Sequence, residues 1–149
     1  MGATINNLPQ IQEVTERLGY EASLADDALI VKIGKFPAIL TIDGGRLSIN
    51  CKVARAGDIP EANQADFATA ALDANTRLSP YALAMITDID DPSSEGQEDD
   101  WPIVLTDTIP LGDFEECELK SALSDLQAAL VGSKEVLQIA FAGSEPAAT

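Results

Sequence analysis

Apolar residues open the chain at helical spacing. Leu8, Ile11, Val14 and Leu18 recur every three or four positions, which places them on one stripe of a helix. Asn7 stands where an N-cap belongs, Pro9 falls in the first turn where a missing N–H costs nothing, and Gly19 is a stop signal. The spacing predicts a helix over residues 8–18, with Glu13 and Arg17 as an i,i+4 pair on its polar side. The period then changes. Residues 28–33 are a nearly continuous apolar, β-rich run, and residues 38–42 are another, after Gly34 and Pro37. Asp43-Gly44-Gly45 signals a hairpin turn, because glycine supplies the positive φ such turns need. Residues 46–53 alternate: Leu47, Ile49, Cys51 and Val53 face inward, while Arg46, Ser48, Asn50 and Lys52 face out. That period leaves one sheet face in water or under polar cover.

A second helix is expected over residues 60–74, with Asp58 as a cap candidate and Phe67, Ala70, Ala71 and Ala74 as a stripe of mostly small residues. Residues 81–89 read as a fourth strand and residues 101–106 as a fifth, with Ile109-Pro110-Leu111 leading out. The last helix starts near Asp113, which has capping-box spacing to Glu116, and Leu119, Leu123, Leu126, Leu130 and Leu137 keep a heptad-like seam. The order is α-βββ-α-ββ-α. An antiparallel, five-stranded twisted sheet packed with helices is the economical α+β architecture, as a single domain over residues 1–142 with a disordered tail over 143–149.

A chain of 149 residues, 46% of them hydrophobic, can bury a core without staples. Cys51 and Cys117 form no CxxC pair and read as two reduced thiols in or near that core. No long apolar run and no basic-then-apolar leader is visible, so a cytoplasmic address without membrane insertion is expected.

Charge adds direction. Residues 1–77 hold seven basic and ten acidic side chains, whereas residues 78–149 hold two basic and fifteen acidic, for a total of −16. Such a field repels nucleic acid and anionic lipid and favours a protein partner with a basic surface. The chain has no histidine, which removes Ser-His-Asp and Cys-His catalysis and histidine-based zinc sites. Neither GxGxxG nor GxxxxGK[ST] occurs. Carboxylates alone could serve as acid and base in a shielded cleft, but an acid-rich chain brings some pair together by chance, so no enzyme activity is expected.

Candidate binding residues cluster in one acidic stretch: Asp88, Asp90, Asp91, Glu98, Asp99 and Asp100, followed by Trp101. The stretch suits docking to a basic surface, and tryptophan is enriched at binding hot spots. A calcium- or small-ligand-sensing role for residues 88–100 is the alternative. It is weakened by Pro92 and Ser93, which stand at positions 5 and 6 of an EF-hand counted from Asp88, where a ligand and the turn glycine belong. No metal or cofactor is expected on this reading.

Two segments carry a resemblance. Trp101-Pro102-Ile103-Val104-Leu105-Thr106-Asp107-Thr108-Ile109-Pro110-Leu111-Gly112-Asp113-Phe114, running into the leucine-seamed helix, looks like the last strand and helix of the type III secretion chaperone and YbjN-like fold. Residues 78–92, Leu-Ser-Pro-Tyr-Ala-Leu-Ala-Met-Ile-Thr-Asp-Ile-Asp-Asp-Pro, together with Asp100 to Asp107, resemble the YjfI family of uncharacterised bacterial proteins. The fold resemblance implies binding to segments of other proteins, often as a dimer. The family resemblance implies a partner in envelope maintenance, since such genes tend to lie near a phage-shock-protein-A-like membrane-stress protein. It carries over no catalytic residue. The expectation is therefore a non-enzymatic, chaperone- or adaptor-like protein, able to form a homodimer.

Overall fold

The computed structural model describes residues 5–86 and 101–142. Helix α1 (Leu8–Arg17) leads into a meander of β1 (Glu21–Ala25), β2 (Ala28–Ile33), β3 (Phe36–Asp43) and β4 (Arg46–Arg55). Two short 3-10 turns and helix α2 (Gln64–Ala74) follow, then β5 (Ala82–Met85), β6 (Pro102–Pro110) and the long helix α3 (Glu116–Ala140). The strands make one antiparallel sheet in the order β1-β2-β3-β4-β6-β5, so β6 inserts beside β4 and β5 takes the outer edge.

The sheet has six strands, not the five expected. The added strand is β1, whose residues are mostly exposed and give no alternating burial. It is joined to β2 by Asp26-Asp27, with Asp26 at φ 49°, a left-handed conformation aspartate tolerates without the usual glycine signal. The other elements fall near their expected places. Asn7 caps α1, its side chain accepting from the Gln10 N–H at 2.9 Å. The last helix begins later than expected, because its capping box is Glu115 with Glu118 and not Asp113 with Glu116. Asp58 caps no helix; α2 is preceded by the turn Glu61–Asn63.

Alternation sorts the sheet into two faces. Leu29, Val31, Ile33, Ala38, Leu40, Leu47, Ile49, Cys51, Ile103 and Leu105 are buried together with apolar residues of all three helices in one core. The helices therefore share one side. From α3 come Leu119, Leu123, Leu126 and Leu130, as the seam predicts. Each such burial contributes about 1.5–3 kcal/mol of hydrophobic free energy. Val53, expected inward by simple alternation, lies at a bulge where the β4–β6 register shifts between Lys52 and Ala54.

Polar contacts fix the ends. Tyr81 is buried, and its hydroxyl donates to the Ala122 carbonyl of α3 at 2.9 Å. Asn63 donates to the carbonyls of Ala140 and Ala142, holding the end of α3. Arg17 lies 2.9 Å from Glu116 but 4.0 Å from Glu13, so it ties the end of α1 to the start of α3 more closely than it makes the expected i,i+4 pair.

The outer edge of β5 is closed by a side chain. The Asn75 amide accepts from the Leu83 N–H at 2.7 Å and donates to the Leu83 carbonyl at 3.3 Å, filling the two positions that Leu83 would offer a further strand. Asn75→Ala leaves both groups without that partner. It should cost about 1–3 kcal/mol, read as a lower urea midpoint at unchanged slope.

Candidate interaction surfaces

Of the residues singled out as a binding cluster, Trp101 alone lies within the described region; Asp88, Asp90, Asp91, Glu98, Asp99 and Asp100 lie outside it. Trp101 is half-buried at the start of β6. Its ring lines an apolar hollow of about 300 Å³ with Ile59, Phe67, Ala68 and Met85. Its indole N–H is inaccessible and has no hydrogen-bond partner among the described residues. The residue therefore packs at the end of the helix layer with part of its ring facing the hollow.

A second groove, also of about 300 Å³, runs between the end of α2 and the middle of α3. Its walls are small or apolar: Ala74, Leu78, Ala128, Ala129 and Val131, with Gly132 beside them. A Cβ on Gly132 would lie 2.9 Å from Leu78 Cδ2, so the missing side chain is what lets Leu78 seat against α3. Asp125 and Glu135 also line the groove, and neither makes a hydrogen bond or ion pair among the described residues. Arg77, on the opposite wall, is held by Asp73 at 3.0 Å. The groove combines an apolar floor with two carboxylates free to meet a cation.

The far side of the sheet has a different character. No helix covers it among the described residues. Its central row follows the register Ser23, Ile30, Ile39, Asn50, Thr106, Ala82. Ile30 and Ile39 are direct cross-strand partners and are 36% and 43% exposed; Val104, at 3%, is the buried exception on this face. A concavity of about 520 Å³ lies over Glu21, Ser23, Ile30, Lys32 and Pro37, bordered by Glu16.

One ionisable group on the helix-facing side was missed in the sequence. Asp107 pairs with Ile49 in the register and so points towards the helices, between inward-facing Leu105 and Ile109. The expected strand stopped at residue 106; continuing its alternation to Pro110 would have placed Asp107 inward. Burial is the largest cause raising its carboxyl above the ordinary range, and nearby Asp125 of α3 adds to it. The Thr108 N–H, donating to Asp107 at 2.9 Å, pulls the other way. Burial also raises the Tyr81 hydroxyl, with Asp107, Asp125 and Cys51 reinforcing it. Cys51 is buried and pushed up to about 11, but Cys117 is exposed, contrary to the expectation of two thiols in or near the core. Among the described residues no three acidic or sulfur side chains are placed to hold a metal ion, and no helix is long and apolar enough to cross a membrane.

No protein-family model matches this chain, and no curated protein does. Its fold is shared with solved structures. YbjN from E. coli, described as a candidate transcription regulator, matches with a TM-score of 0.63 at 8% identity, over 89% of this chain and 96% of that one. An uncharacterised protein from Methanothermobacter thermautotrophicus matches with a TM-score of 0.59 at 11% identity, over 89% and 97%. This is a YbjN-like fold. At these identities the likeness is one of architecture.

The Asp107 environment has a direct consequence. A raised folded-state value means its favourable contribution is complete below the ordinary carboxylate value, about 3.9, and is lost as pH rises through the raised one. Asp107→Asn keeps the acceptor for Thr108 and removes the charge. It should raise the Tm at pH 7, with the difference shrinking to nothing as pH falls below that ordinary value, in scans against pH.

Proposed function

We propose that this protein is a small, non-enzymatic, cytoplasmic adaptor that holds a basic segment of another protein against its helical side. The α2–α3 groove carries the reading. It offers an apolar floor with two carboxylates at its wall that are unpaired among the described residues, which suits an apolar side chain flanked by lysine or arginine. The chain's net charge of −16 would draw such a partner in and orient it. The description of the E. coli neighbour as a candidate regulator is compatible with a protein that acts by holding another. The segments resembling the YjfI family suggest the partner's setting, an envelope-stress system built around a phage-shock-protein-A-like protein.

Immobilised protein offered its native host's lysate at low salt should retain a basic protein that elutes as salt rises. The double variant Asp125→Asn with Glu135→Gln should retain roughly fivefold less, since each exposed charge is worth up to about 1 kcal/mol. No retained protein above background, or equal retention by the double variant, would refute the proposed groove.

A further inference from the structure

We propose that the α2–α3 groove selects an extended segment of the pattern basic-x-apolar-x-basic, where x is any residue. This specificity rests on the groove being the docking site, as proposed for the function, and adds the sequence that the site takes.

The two carboxylates set the spacing. Asp125 and Glu135 both line the groove and stand ten residues apart on the unbroken helix α3. At a rise of roughly 1.5 Å per residue they are about 15 Å apart along the axis. An extended chain advances about 3.3 Å per residue, so four residues cover about 13 Å, and the long arms of lysine or arginine close the difference. Alternation then fixes parity. Positions i and i+4 of such a chain point to the same side, whereas i and i+5 point to opposite sides. Two cations that both face α3 therefore stand four apart.

The floor selects the residue between them. Position i+2 points the same way and comes over the middle of the span, where Ala128 and Val131 lie. Val131 is 64% exposed, an aliphatic side chain that the fold itself leaves largely uncovered. Arg77 is the one cation lining the groove among the described residues; it stands on the opposite wall, held by Asp73, and turns a ligand's basic residues towards α3. A helical partner fits poorly. It would need cations ten positions apart, and a helix is about 10–12 Å across, too wide to enter a groove of about 300 Å³ spread over this length.

The test is a titration of the isotope-labelled full chain with short peptides at low salt, followed by amide chemical shifts, which read even millimolar affinities. Each peptide carries two lysines and one leucine midway between them in a serine-glycine background, and only the separation of the lysines varies. A separation of four should bind roughly fivefold tighter than separations of two, eight or ten, because both carboxylates are engaged. The amide shifts should centre on α3 between Asp125 and Glu135. Glu135→Gln should erase the preference, leaving all separations equal. Val131→Ser should weaken the favoured peptide roughly threefold while keeping the preference. Equal affinities across separations, a best separation of ten, a preference that survives Glu135→Gln, or no binding by any peptide would overturn the pattern. Any of these, with the host protein still retained through Asp125 and Glu135, would leave the groove as the docking site; equal retention by the double variant would remove the groove and the pattern together.

Discussion

One helix layer has to cover the apolar side of a six-stranded sheet, and the rest of the structure is arranged around that demand. Helix α3 does most of it, with four leucines against the inward rows of the strands. Its two ends are held by side chains from elsewhere, Arg17 at the start and Asn63 at the finish. Helix α2 fills the remaining width, and Gly132 lets the chain after α2 come close to α3. Because the helices are committed to this side, no helix covers the opposite face among the described residues.

The same division separates the charges. Acidic residues outnumber basic ones on the helices, and two carboxylates there have no partner among the described residues. On the opposite sheet face, Glu21 faces Lys32 and Asp43 faces Arg46 across neighbouring strands. Among the described residues the helical side is therefore the more acidic of the two.

Much of this fold could be read from period alone. The seam of α3, the alternation of β4 and the cap at Asn7 are local patterns with one structural solution each. The edge strand β1 escaped because it buries little, and burial is what writes alternation into a sequence. Asp107 escaped for a related reason: a carboxylate on an inward position reads as the end of a strand. The α2–α3 groove could not have been found, since it depends on how closely two distant segments approach. Among the residues picked for binding, Trp101 lies half-buried beside an apolar hollow, and the acidic stretch before it lies outside the described residues.

The amide of Asn75 imitates the backbone of an absent neighbour strand. A sheet can recruit strand after strand only if each addition exposes a fresh edge and the far edge is open as well. With Leu83 already satisfied, end-to-end growth meets an obstacle on that side. A single side chain thus blunts this edge of the sheet against fibre-like growth.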